Sequence, residues 1–220
     1  MTSSKDNGST SSARAAEAMA DRAGLAVVCV ECQNGVIGPE SVLPALAAET
    51  HAVVSDIARL VTAARGAGIP VVHATFEGFV VGGRPGKAPL WRALNGAGAD
   101  RWQPGDPATQ VVTELFDPAD IVLGRRQGLS PTRGTELLPV LRSMGIHTIV
   151  LAGVSVNVAL PLTAADASED GFRVVVARDA VTGSPAEYAR QALRHTIAML
   201  ADIVTVDDLT AAWAAPAVRA

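Results

Sequence analysis

Apolar residues in this chain come in short unbroken runs separated by longer stretches of helical spacing. Leu25-Ala26-Val27-Val28-Cys29-Val30 is nearly continuous, the pattern of a strand covered on both faces, as in a parallel sheet. Comparable runs at residues 71–75, 121–123, 147–152, 173–177 and 203–206 predict further strands. Residues 44–67 place Val53, Ile57, Leu60 and Val61 at helical spacing and stop at Gly66 and Gly68, predicting one long helix. More helices are predicted over 136–143, ending at Gly145, over 157–169, closed by Gly171, and over 185–200. Strand and helix alternate. The expected fold class is therefore α/β: a three-layer αβα sandwich around a mostly parallel six-stranded sheet, Rossmann-type in topology, with right-handed crossovers.

Two regions fall outside this rhythm. Residues 1–22 are rich in Ser and Ala and carry no buried pattern beyond a helical stretch at 15–19. They are expected to form a mobile tail ahead of a single domain over 23–215. Residues 77–108 are dense in glycine and proline, from Gly78, Gly82 and Gly83 to Pro104 and Pro107. Connections this long inside a compact domain are usually lids, binding loops or partner contacts. This one leaves the carboxyl end of a strand, where parallel sheets bind their ligands.

The 220 residues are 49% hydrophobic, enough for a substantial core, and carry a net charge of only −4. No basic stripe stands out and aromatic residues are sparse, so no nucleic-acid partner is expected. No apolar run approaches the roughly 18 residues of a membrane span, and the polar start lacks a secretory signal. The sequence reads as cytoplasmic, with no membrane partner. Cys29 and Cys32 are the two cysteines, too few and too close for a disulfide framework.

Three strand ends carry the candidate chemistry: Glu31-Cys32-Gln33-Asn34-Gly35, then Arg125-Arg126-Gln127-Gly128-Leu129-Ser130-Pro131 with Gly134-Thr135, and Gly153-Val154-Ser155-Val156-Asn157-Val158-Ala159. Each follows a buried strand, so all three are expected on one rim of the sheet. The order is strand-acid-x-Gln, a basic residue before Ser-x-x-x-Gly-Thr, and Ala-Gly-Val ahead of a helix bearing Thr163-Ala164-Ala165-Asp166-Ala167. It resembles the isochorismatase-like (cysteine hydrolase) superfamily over nearly the whole domain, about residues 25–206.

Amidase-type members of that superfamily use an aspartate, a lysine and a cysteine. The resemblance puts the aspartate's role on Glu31, the lysine's on Arg126 or, with a shift of one, Arg125, and the cysteine's on Ala159. An alanine methyl cannot attack a carbonyl, which excludes thiol amidase chemistry at that position. Arginine stays protonated, so it can bind or polarise but not exchange protons. Isochorismatases proper also lack the cysteine, with glycine in its place, and cleave a vinyl ether, where a carboxylic acid matters more than a nucleophile. On that pattern Glu31 is the acid/base and Arg84, Arg125 or Arg126 hold substrate carboxylates. Gln33, Val154 and Ser155 complete the implied substrate-binding set, with Val154–Ser155 as the expected cis peptide and Pro161 adjusting the helix entrance. The implied ligand is small and anionic, an enol ether or similar carboxylate. No cofactor or metal is implied. A homo-oligomer, dimer or tetramer, is implied through helices beside the site, with residues 209–213 and the helix near His195 as candidate surfaces.

Each residue also has a plainer reading. Glu31 and Arg126 would serve equally as a structural ion pair. Cys29 and Cys32, three apart on a strand, are expected to face opposite sides and to fill core rather than supply a replacement nucleophile. His73 falls in the second strand near the site, but a lone histidine is a poor metal-ligand set. Trp91 and Trp102 either line the pocket or anchor a subunit interface. Three functions remain open from sequence: a hydrolase working through Glu31, a non-catalytic small-molecule-binding protein, and an oligomeric scaffold with a vestigial site.

Overall fold

The computed structural model describes residues 19, 21–80, 82–83, 86–94 and 102–214. Arg84 and most of the expected tail lie outside the described residues. The elements are β1 (Leu25–Val30), α1 (Pro44–Thr50), α2 (Val54–Gly66), β2 (Val71–Phe76), α3 (Pro89–Leu94), β3 (Ile121–Arg125), α4 (Leu137–Ser143), β4 (Thr148–Val154), α5 (Ala159–Glu169), β5 (Arg173–Thr182), α6 (Ala186–His195), β6 (Asp202–Val204) and α7 (Val206–Ala214). The six strands form one sheet in the order β3-β2-β1-β4-β5-β6, and every pairing is parallel. The strand order reverses beside β1, so the carboxyl ends of β1 and its neighbours open a crevice there.

The sheet's two faces carry separate cores. Leu25, Val27 and Cys29 pack with Ile57 and Leu60 of α2 and with Leu209 and Trp213 of α7. Ala26, Val28 and Val30 pack with Leu141 of α4 and with Leu160 and Ala164 of α5. Every residue of β1 is buried, which is why its sequence shows no polar alternation. A fully buried side chain such as Leu25 or Ile57 contributes about 1.5–3 kcal/mol, so most of the driving force sits in these two layers.

Several expected boundaries shift for local reasons. The helix predicted over 44–67 is two helices, because Thr50 turns its hydroxyl back onto the Leu46 carbonyl at 2.6 Å and the chain makes a turn at 51–53. Such back-bonding bends or ends a helix. The helix predicted over 185–200 stops at His195 and continues as a 3-10 turn, Ile197–Met199. Met19, within the expected tail, is buried in the α2-side core. Leu209 and Trp213, counted as candidate subunit surface, are buried against that same core. Cys29 and Cys32 do not face opposite sides: both join the α2-side cluster. The strand ends at Val30, and Glu31 takes φ 52°, which breaks the period-two alternation.

Candidate active site

The three motif-bearing strand ends meet at the carboxyl edge of the sheet, around a cavity of about 120 Å³. Glu31 reaches it from β1, Arg125 from β3, and Ser155 and Ala159 from the junction of β4 with α5. Val36, Val42, Leu43 and Leu46 form one wall, and Phe76, Phe79, Trp91 and Trp102 another. The two tryptophans therefore line the cavity, both of them buried. The segment after β2 reaches over the site through Gly78, whose φ is 72° and where a Cβ would sit 1.6 Å from the Trp102 carbonyl oxygen. Only glycine tolerates both constraints.

Glu31 sits in the left-handed region, a conformation that costs a non-glycine residue about 1 kcal/mol or more. Its N–H donates to the Ala74 carbonyl at 3.0 Å and its carbonyl accepts from Gln33 N–H at 2.9 Å. This backbone turn aims the carboxylate along the cavity floor, where it accepts a hydrogen bond from Arg125 Nη2. Arg125 is only 5% exposed. Its Nε reaches the Gly128 carbonyl at a long 3.4 Å and its guanidinium lies 5.2 Å from the centre of the Phe76 ring. Its Nη1 is buried with no hydrogen-bond partner.

Of the two adjacent arginines, then, Arg125 and not Arg126 is brought to Glu31. Along β3, residues 121, 123 and 125 share the inward side while Val122 and Gly124 are exposed. Arg126 turns away and donates from Nη2 to the Phe79 carbonyl at 2.9 Å and to Gln103 Oε1 at 3.2 Å. It ties the covering segment to the end of β3.

Gln33 does not face the cavity. Its Nε2 donates to the carbonyls of Phe76 and Thr109 at 2.9 and 2.7 Å, and its Oε1 accepts from Phe76 N–H at 2.7 Å. With both ends of the amide committed to backbone, it braces the strand ends instead of meeting a ligand. Val154 is likewise a core side chain, though its peptide bond to Ser155 is cis as expected. Ala159 opens α5 and presents its methyl to the cavity. In that first helical turn Leu160 and Leu162 donate to the Ser155 and Val158 carbonyls, and Pro161 has no N–H to offer.

The two superfamily motifs that lie outside the cavity interlock. Ser130 Oγ meets Asp166 Oδ2 of α5 at 2.7 Å, Thr132 Oγ1 binds the same oxygen, and the N–H groups of Thr132 and Arg133 donate to Ser130 Oγ at 3.2 and 3.1 Å. The loop after β3 is thereby pinned to α5, fixing the spacing between Arg125 and Ala159. Cys32 is buried away from the cavity lining. A hydrogen bond with Cys29, then burial and the nearby Cys29 and Glu31 charges, push its thiol well above the usual range, so it stays a poor nucleophile.

His73, fully buried on β2, shares a hydrogen bond with Asp120 Oδ2 at 2.9 Å. Burial lowers its pKa against the opposing pull of Asp120. Burial tends to raise the Asp120 pKa, but hydrogen bonds from Arg65 and His73 outweigh it and hold the carboxyl below its ordinary value. Among the described residues no three His, Cys, Asp or Glu side chains are grouped to hold a metal ion, and no helix is long and apolar enough to cross a membrane.

These features define the class: a doubly wound parallel α/β protein with a carboxylate–guanidinium pair in a small cavity at its switch point. Residues 25–208 match the isochorismatase domain, and the chain belongs to the isochorismatase family. It is 31% identical to the ureidoacrylate amidohydrolase RutB of Methylobacterium radiotolerans over 193 residues, 80% of this chain and 74% of that protein. It is 28% identical to the maleamate amidohydrolase of Pseudomonas putida over 83% of this chain and 84% of that one. Its fold matches the crystal structure of a cysteine hydrolase from Pseudomonas syringae pv. phaseolicola 1448A with a TM-score of 0.74, at 22% identity, over 88% of this chain and 94% of that chain.

Beyond Trp91 and Trp102, the apolar wall was not anticipated. Phe76, Phe79, Leu43 and Leu46 carry no motif, and only the position of Phe76 and Phe79 just past a strand's carboxyl end pointed toward the rim.

Proposed function

We propose that this isochorismatase-family protein hydrolyses a small anionic substrate, an enol ether or similar carboxylate, with Arg125 as the anchor and Glu31 as the acid/base. The observation that carries this reading is the buried, unpaired Nη1 of Arg125 beside the Glu31 carboxylate. A buried cationic donor without an acceptor is costly, and a substrate carboxylate supplies one.

For an enolpyruvyl ether the steps balance without a nucleophilic side chain. Glu31 gives its proton to the terminal methylene carbon as the C=C pair forms the new C–H bond, leaving an oxocarbenium ion at the ether carbon. Water adds to that carbon and returns a proton to Glu31. The hemiketal then breaks its bond to the ether oxygen, releasing pyruvate and an alcohol. The Ala159 methyl is compatible with this route and offers nothing to amide cleavage. The relatives' named substrates, ureidoacrylate and maleamate, are themselves carboxylates, which supports the anchoring half of the reading.

The closed Glu31–Arg125 pair supports a second reading, a binding protein without turnover. Pyruvate release from enolpyruvyl ethers, isochorismate first, separates the two, with Glu31→Gln as control. The proposal expects release by the parent and a fall of about 10²-fold or more in the variant. Carboxylate binding without release from any ether would leave the binding role.

A further inference from the structure

Resting on the reading that Arg125 anchors a carboxylate, we infer that the rest of the ligand is compact and apolar, a single ring or branched hydrocarbon of about six carbons, and not a polyol or polar chain. Beyond Glu31, Arg125 and Ser155, the cavity is lined by aliphatic and aromatic side chains and the backbone of Gly78. Four of the aromatic rings pack on one another: Phe76 lies 5.3 Å from Phe79, 5.5 Å from Trp91 and 5.7 Å from Trp102, and Phe79 lies 4.9 Å from Trp91. The rings brace one another into a fixed wall.

Size points the same way. An apolar cavity of roughly 150 Å³ holds a benzene molecule, and this one measures about 120 Å³. A single ring is therefore the upper limit of what it encloses, and a long chain has to project through the mouth. Polarity sharpens the choice. A ligand hydroxyl turned toward Val36, Leu46 or Phe79 gives up its water for no partner, which lowers affinity about tenfold or more. The head group is placed by Arg125, whose guanidinium lies over the Phe76 ring, so the body of the ligand meets the aromatic wall directly.

The test is calorimetric binding to the full chain of four carboxylates sharing one head: benzoate, cyclohexanecarboxylate, acetate and glycerate. The two ring acids should bind at least about tenfold more tightly than acetate or glycerate. Val36→Thr, which keeps the shape and adds a hydroxyl to the wall, should narrow that gap several-fold. Val42→Thr, at a less buried lining position, repeats the measurement should the first variant unfold. Ring selectivity with no pyruvate release from any ether would sink the acid chemistry and leave this inference standing. Acetate or glycerate binding as tightly as benzoate would overturn it, even where pyruvate is released. Failure of all four to bind would remove the Arg125 anchor and this inference together.

Discussion

Asp120 and Glu31 each take a hydrogen bond from an arginine, Glu31 just after the last residue of β1 and Asp120 just before the first of β3, yet their surroundings differ. Asp120 accepts from Arg65 Nε at 3.0 Å, Arg65 Nη2 at 2.6 Å, His73 at 2.9 Å and the Asp117 N–H at 3.1 Å. Arg65 also donates to the Leu115 carbonyl at 2.7 Å. What stays unpaired there is His73 Nδ1, the bare acceptor of a neutral ring whose other nitrogen faces a carboxylate. At Glu31 the unpaired group is the charged donor Nη1 of Arg125, a residue that lines the cavity. A network that consumes its own charges holds structure together. One that leaves a buried cationic N–H without an acceptor is completed by something that enters.

The two clusters should therefore respond differently to the same insult. Asp120→Ala should cost about 3–5 kcal/mol in urea denaturation, since it strands a guanidinium and a buried imidazole, while leaving carboxylate affinity unchanged. Arg125→Met should cost less stability, about 1–3 kcal/mol, and abolish carboxylate binding in calorimetry. Equal stability losses with binding intact would erase the distinction. Ser130→Ala should cost about 1 kcal/mol and weaken binding only through the loop it pins, a modest effect beside that of Arg125→Met.

The pH response is the finest discriminator. Burial lowers the His73 pKa, so the folded state resists its protonation. Its contribution is complete above the unfolded value of about 6.5 and is lost as pH falls below that toward the folded pKa. The Asp120 pKa is lowered by its hydrogen bonds, so its contribution is present above the unfolded value of about 3.9 and lost only as pH falls through the folded one. Stability measured across pH 7 to 3 should therefore decline in two stages. His73→Gln should remove the first and keep the second; an unchanged first stage would assign it to other groups.

The strands were the most legible part of the sequence, because β1 and β4 are buried on both faces and show it as unbroken apolar runs. The break between α1 and α2 was not, since it depends on one hydroxyl of Thr50 choosing its own helix's carbonyl. Within the site, Glu31 and Ala159 were placed by motif. The choice between Arg125 and Arg126 turned on the pleat of β3, and inward Ile121 and Leu123 carried that signal at period two. Gln33 misled because its spacing resembles a substrate contact while its partners, Phe76 and Thr109, lie 43 and 76 residues away. Beyond Trp91 and Trp102, the apolar wall stayed invisible for the same reason: side chains from separate segments become one surface only after folding.

The central place of β1 has a consequence for how the chain is made. Its partner β4, beginning at Thr148 opposite Leu25, leaves the ribosome about 120 residues later. At 5–20 residues per second this wait is on the order of ten seconds, during which one edge of an entirely apolar hexapeptide stands open to other chains. Yield in the cell should therefore depend on translation speed between β1 and β4 and on chaperones that shield nascent strands, more than on the final stability of the protein.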